Sequence, residues 1–313
     1  MKKLLIILLF IIFSSNVYAD SKFDKDLKKV SELNGFIDSE GKIYPADQIS
    51  NKENIILVIW NHGSEGEQTL DKCSKAWNKV PPVILQLHDQ KIKNLQIKLY
   101  KLCSGVKGWS KSEQDKMWKA HERSGKLSDK LADKNGTPLL KKMKQLFKQK
   151  VINDKIDDFT KQGFNNIVLA GQSAGAWASI TLRSQFPEKI DGVIAFNPAV
   201  AGTLRNRKDW PWWEDVRTHL ISYMKLENLK NELVFAHDKD HYETTKTLSF
   251  LSNLKSIKFV DITGLDCKGT AKLGKYHGIG NTKCFAEKDN NICLLYTSPS
   301  PRDATLSRMP SSA

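Results

Sequence analysis

A serine held between two glycines, in Gly171-Gln172-Ser173-Ala174-Gly175, is the pattern in this chain best suited to covalent chemistry. The apolar run Ile167–Ala170 precedes it, and a run that reads as a helix, Ala176 to Phe186, follows. A G-x-S-x-G placed between strand and helix forms a tight elbow that lifts the serine hydroxyl clear of the sheet. A side chain at either glycine would crowd the crossing of strand and helix. The next amide, at Ala174, falls at a helix N-terminus, where an oxyanion is stabilised. The plainer reading is a glycine-rich turn with an ordinary serine.

A serine hydroxyl is a weak nucleophile until a base takes its proton, and the base needs a carboxylate to orient it. Both residue types lie downstream, after apolar runs. Glu232–Ala236 leads into His237-Asp238-Lys239-Asp240-His241, and the loop after the last apolar run carries Tyr276-His277-Gly278. Upstream, the run ending at Trp60 leads into Asn61-His62-Gly63-Ser64-Glu65-Gly66. Gly63 or Ser64 is placed there to offer an oxyanion a second amide, because glycine lets backbone approach substrate closely. Among the other histidines, His237 and His241 adjoin the acids, whereas a triad base comes from a separate loop. His62 belongs to the oxyanion segment, and His88 and His121 read as surface residues.

On these residues the chain resembles the α/β-hydrolase superfamily, from about Gly35 to Cys284; the order Ser, Asp, His is the order of that superfamily. Within it, the general layout is most similar to exported esterases and dienelactone-hydrolase-like members. The resemblance implies an α/β fold with a mostly parallel central sheet and helices on both faces. It implies Ser173 as nucleophile, His277 as general base and acid, and Asp240 as the orienting acid. Such families set the acid a few residues beyond the strand's last small residue, here Ala236, which favours Asp240 over the alternative acid Asp238. Either carboxylate also reads as a solvated loop residue or as the cap of a helix starting at Tyr242. The oxyanion segment has His-Gly-Ser where some lipases have His-Gly-Gly-Gly, so the donor stays open between Gly63 and Ser64. The implied activity is hydrolysis of a carboxylic ester, the substrate a small or lipid-like ester. A peptidase on the same fold and a binding protein that keeps the fold are the competing readings. No cofactor is expected. His121-Glu122 lacks the second histidine of H-E-x-x-H, cysteine spacings do not match zinc sites, and no phosphate loop or dinucleotide fingerprint occurs.

The elements that must position these residues alternate. Gly35 to Tyr44 reads as a hairpin turning at Asp38–Gly41, and Asn54–Trp60 as a buried strand whose continuous apolar character suits a sheet covered on both faces. Gln68 to Trp77 reads as a helix, Leu95–Leu102 as a strand, and Gly105–Gly136 as a polar excursion without a clean period. Pro138 to Gln162 reads as one amphipathic helix with proline near its start. Beyond the elbow come a strand over Ile190–Phe196 ending in Asn197-Pro198, and a mostly helical stretch over Lys208–Asn231. Then follow a strand over Glu232–Ala236, a helix over Tyr242–Leu254 and a last strand over Ser256–Ile262. Alternating strands and helices predict a parallel α/β sheet. Trp210, Trp212 and Trp213, like Trp109 and Trp118, read as side chains docking a helix on the sheet, with an aromatic substrate rim as the alternative.

Both ends of the chain read as foreign to the fold. Lys2-Lys3, the apolar run Leu4–Phe13 and Val17-Tyr18-Ala19 have the form of a signal peptide cut after Ala19, which predicts export to a periplasm or beyond the cell. That run is too short for a span, which needs about 20 residues, and no later run is long and apolar enough. Residues 293–313 read as translated sequencing adapter. Residues 293–303 back-translate to a transposon-type adapter, Ala304–Leu306 to its index, and Ser307–Ala313 to its constant tail in the same frame. The alternative is a Ser/Pro-rich tail. The single domain then covers residues 20–292. Without the two leader lysines and the net single charge of the tail, the formal charge of +14 becomes +11. The lysines are scattered without interleaved aromatics, unlike a nucleic-acid face. The cysteines left are Cys73, Cys103, Cys267 and Cys284. An even number in an exported chain predicts two disulfides; nearness in sequence favours Cys267–Cys284 and Cys73–Cys103.

Overall fold

Ile55–Asn61 (β3) is apolar at all but its last position, and all seven of its residues are buried. Its side chains alternate between two cores. Ile55, Leu57 and Ile59 join one cluster, while Ile56, Val58 and Trp60 join another on the opposite face. A strand can be apolar at successive positions only when both faces of its sheet are covered, as here. The computed structural model describes residues 32–63, 79–104, 108–268 and 276–288.

Five more strands run parallel to β3: Leu95–Leu102 (β5), Asn166–Gln172 (β6), Gly192–Phe196 (β7), Glu232–Ala236 (β8) and Lys258–Asp261 (β9). Gly35–Ile37 (β1) joins β5 antiparallel and turns back as Ile43–Tyr44 (β2); Lys91–Ile92 (β4) forms a hairpin with β5. The order across the sheet is β2-β1-β5-β3-β6-β7-β8-β9. Each parallel pair needs a crossover, and helices supply it.

Pro82–Leu85 (α1) and Lys283–Lys288 (α8) cover one face through Val83, Ile84 and Phe285. Lys144–Lys161 (α3) and Ala174–Gln185 (α4) cover the other through Ile152, Ile156, Phe159, Trp177 and Ile180. A third, smaller core lies outside the sheet. There Met143 and Ala201 gather with Trp212, Val216 and Leu220 of Trp212–Ile221 (α6), and Trp118 of Lys111–Ser124 (α2) packs against them; Leu204–Asp209 (α5) precedes α6. The mostly parallel sheet, helices on both faces and the strand–elbow–helix at Ser173 make the α/β-hydrolase fold implied by the sequence.

Four local expectations are corrected. The excursion over Gly105–Gly136 holds α2, started by a capping box in which Ser110 and Glu113 bond each other's backbone amides. Helix α3 begins at Lys144 rather than Pro138, because Met143 is extended (φ −58°, ψ 134°) and ends a short 3₁₀ turn over Leu139–Lys142. The stretch from Lys208 is broken at Trp210-Pro211, between α5 and α6. Of the helix expected over Tyr242–Leu254, only Ser249–Ser252 (α7) is helical. The helix expected over Gln68–Trp77 lies outside the described residues.

Cys267 and Cys284 are disulfide-bonded across 17 residues of sequence, as nearness in sequence suggested. Cys103 is also disulfide-bonded; Cys73 lies outside the described residues. The Cys267–Cys284 bridge joins the loop beyond β9 to the start of α8, and His277 lies in the segment it closes. Closing a loop of that length removes chain entropy worth about 3 kcal/mol from the unfolded state. The double variant Cys267→Ser/Cys284→Ser is expected to lose about that much in urea denaturation, and its loss should match that of wild type reduced at this bridge alone.

Candidate active site

Ser173 occupies a backbone conformation that side chains rarely adopt, φ 55° and ψ −122°, at the junction of β6 and α4. Such a residue costs about 1–3 kcal/mol of strain and persists only where its surroundings over-determine it. Here they do. The Ser173 amide donates to the Phe196 carbonyl on β7 at 3.0 Å, and the Ser173 carbonyl accepts from Trp177 at 3.0 Å and from Ala199 at 3.3 Å. The flanking glycines permit the crossing. A Cβ on Gly171 would stand 2.5 Å from the Gly175 carbonyl carbon, and one on Gly175 would stand 2.0 Å from the Asn61 oxygen.

Ala174 is the first residue of α4, so its amide has no acceptor within the helix. Gly63 lies against the elbow: a Cβ there would meet Gln172 Oε1 at 2.7 Å and Ser173 Cβ at 3.3 Å. His62 is buried and its Nδ1 donates to the Gly63 carbonyl at 2.6 Å. Ser64, the other donor expected from sequence, lies outside the described residues.

The second half of the site is a buried, hydrogen-bonded histidine–carboxylate pair. His277 Nδ1 lies 2.6 Å from Asp240 Oδ2, and both residues are almost fully buried. Asp240 Oδ2 also accepts from Asn197 Nδ2 at 3.0 Å, and Oδ1 accepts from the Tyr242 amide at 2.8 Å. The His277 backbone is tied to the elbow, since its carbonyl accepts from Gln172 Nε2 at 3.2 Å. Asp238 points elsewhere, with its carboxylate bonded to Thr245 Oγ1 and its amide donating to Thr263 Oγ1 at 2.9 Å. The pair that sequence left open is thereby separated, for it is Asp240 that meets His277.

The remaining histidines have other partners. His237 Nδ1 accepts from the Lys239 amide at 2.9 Å, and His241 stands 6.0 Å from His277, ring to ring. Burial holds both imidazoles below the ordinary histidine range. His88 and His121 are half-buried rather than on the surface. His88 pairs with Asp89, and His121 Nε2 meets Asp215 at 2.6 Å, linking α2 to α6.

Several residues around the site carried no signal in the sequence. Tyr242 lays its ring against His277, with centroids 4.4 Å apart. Glu243, wholly buried, accepts from Arg207 Nη1 at 2.7 Å, from Arg217 Nε at 2.8 Å and from Arg217 Nη2 at 3.1 Å. Arg207 Nη2 donates to the Tyr242 carbonyl at 2.7 Å, and the Leu204 amide to the His241 carbonyl at 2.8 Å. The loop presenting Asp240 is therefore bound to α5 and α6 at successive residues. The run of acids and histidines at 237–243 marked this loop, but its arginines come from 26 and 36 residues away.

Beside the Gly63 loop lies a buried lysine. Lys148 Nζ donates to Ser104 Oγ at 2.7 Å, and burial pushes its ammonium down to about 7. Burial first, and then the Lys148 charge, hold His62 well below the ordinary histidine range.

Ser173 and Ala174 open onto a cavity of about 360 Å³. Ala199, Val200, Ala201, Met143, Val216 and Leu220 form most of its apolar wall, with Trp109 and Trp213 beside them. The tryptophans divide between the two roles expected of them. Trp212 docks in the third core, Trp109 and Trp213 line the cavity, and Trp210 is half exposed.

No family model matches the chain, and no curated protein matches its sequence. Among solved structures it is similar to Est1E from Butyrivibrio proteoclasticus, at 14% identity over 84% of this chain and 98% of that one, with a TM-score of 0.45. The peroxisomal alpha-beta-hydrolase Lpx1 of Saccharomyces cerevisiae is 12% identical over 86% and 84% of the two chains, with a TM-score of 0.44. A monoacylglycerol lipase of Paleococcus ferrophilus is 12% identical over 84% and 96%, with a TM-score of 0.43. The fold assignment rests on this chain's own sheet and elbow.

Two predictions follow from the buried charges. Replacing Glu243 with Gln leaves two buried guanidinium groups facing a neutral amide, with the half-exposed Glu214 as their remaining carboxylate; breaking a buried pair costs about 3–5 kcal/mol, and urea unfolding should show a loss at the lower end, about 3 kcal/mol. Lys148 has a folded pKa of about 7 against an ordinary 10.5. Between those values the unfolded chain holds a proton that the folded chain has released, so this group makes stability rise with pH across that window. Lys148→Met should therefore gain on wild type more at pH 7 than at pH 9.5. Equal pH slopes for the two proteins would refute the assignment.

Proposed function

We propose that this chain is an exported serine hydrolase that cleaves carboxylic esters through an acyl-enzyme. The observation that carries the reading is the buried Asp240–His277 pair, tied through Gln172 to a strained Ser173 that opens on a largely apolar cavity. Three features point to acyl transfer. Ser173 is held out of the sheet by its backbone, the free amide at Ala174 begins a helix, and Gly63 brings backbone against the serine.

In this reading His277 Nε2 takes the Ser173 proton as Oγ attacks the ester carbonyl. Asp240 holds the opposite nitrogen as a donor and stabilises the imidazolium that forms. The tetrahedral oxyanion lies between the amides of Ala174 and Gly63. Its collapse breaks the bond to the alcohol, which leaves with the proton from His277. Water, deprotonated by the same imidazole, then releases the acid and frees Ser173.

Ser173→Ala is expected to abolish turnover of p-nitrophenyl esters, and a fluorophosphonate probe to label wild type at Ser173 alone. Asp240→Asn should lower kcat by about four orders of magnitude, whereas Asp238→Asn should change it less than tenfold. Peptide substrates cleaved faster than esters would move the assignment to a peptidase. A folded wild type that neither turns over esters nor takes the probe would leave a binding protein.

A further inference from the structure

Resting on the serine-hydrolase reading, we infer that the cavity above Ser173 is an acyl site for an unbranched chain of about eight carbons, so that the substrates are medium-chain acyl esters. The geometry comes from α6. Trp213, Val216 and Leu220 all line the cavity, and they lie three and then four residues apart, on one stripe of the helix. Seven residues at the helical rise span about 10 Å. An extended chain advances about 1.2 Å per bond, as three backbone bonds cover about 3.3–3.6 Å. The stripe is therefore about eight bonds long. Met143, Val200 and Ala201 add to the apolar wall, Gln114, Lys144 and Gln145 also line the trough, and a volume of about 360 Å³ exceeds what an acetyl group needs.

The position of His277 decides which half of the ester the trough receives. The leaving alcohol takes its proton from His277, so it must lie on the imidazole side of the serine. Among the described residues His277 does not line the cavity, whereas Tyr242 does, and its ring lies against His277. The group beyond Tyr242, reached directly from Ser173 and Ala174, is the acyl chain.

Kinetics with one leaving group and graded acyl chains test this on the whole protein. With p-nitrophenyl esters, kcat/KM is expected to rise about fourfold per methylene, the equivalent of about 0.8 kcal/mol for each buried CH₂. The rise should stop near eight carbons. Lengthening the alcohol at constant acyl group should give no such rise. Val216→Trp should shift the optimum to about four carbons and cut the octanoyl-to-butyryl ratio of kcat/KM at least tenfold. Leu220→Ala, which asks less of folding, should move the optimum beyond eight. A flat acyl series, or a rise that follows the alcohol, in a protein whose Ser173 takes fluorophosphonate would overturn the acyl site and leave the hydrolase reading standing. Failure of the probe together with no turnover of any chain length would overturn that reading itself.

Discussion

The crossing of α4 over β3 sets the terms for the site. At Gly175 the helix backbone passes so near Asn61 that a methyl group would fall 2.0 Å from its carbonyl oxygen. Only a glycine permits this approach. Because the helix starts so close to the sheet, the chain must reverse within one residue after β6, and that residue is Ser173 in its strained conformation. The same closeness brings the end of β3 alongside the elbow, which puts Gly63 against the serine. In the proposed reading, nucleophile position and oxyanion geometry are consequences of one steric contact rather than separate inventions.

Strain at Ser173 is useful only if the partner groups are equally fixed, and they stand on a loop, the less rigid kind of element. The loop after β8 is made rigid by charge. Glu243 and two buried arginines anchor it to α5 and α6, and neighbouring carbonyls at His241 and Tyr242 accept from Leu204 and Arg207 of α5. Buried ion pairs add little net stability compared with apolar packing, but breaking one is costly. The cluster therefore acts more as a latch on geometry than as a source of stability. It also joins α6, which lines the cavity, to the loop that carries Asp240, so cavity wall and carboxylate are parts of one assembly.

What was legible in the sequence follows from the range of the interactions. The strands were visible because burial on both faces leaves an unbroken apolar run, as in Ile55–Trp60. The elbow was visible because two glycines and a serine must be neighbours in sequence. His277 and Asp240 were visible as residue types after strand ends, although choosing Asp240 over Asp238 from sequence leaned on a family habit. The helix expected from Tyr242 did not form, and the reason is local competition: the Tyr242 amide bonds Asp240, its carbonyl bonds Arg207, and Glu243 is drawn inward to the arginines. Nothing near Tyr242 in sequence announces those arginines. The capping box at Ser110–Glu113 was there to be read, but with Met117 as its one buried residue the helix shows little hydrophobic period.

That division has a physical logic. Chemistry in this fold is built from short-range features, a turn, a strand end and a helix start, whose residues must keep fixed types. In the proposed reading, selectivity is built from α2 and α6, which meet through contacts such as Trp118 on Trp212 and His121 on Asp215, between residues about a hundred positions apart. Side chains lining the trough need only be apolar and of suitable size, a demand met by many residues. A sequence therefore carries a sharp imprint of the reaction and a faint one of the substrate. The trough length along α6 becomes readable only when the helix stripe is seen in place above Ser173.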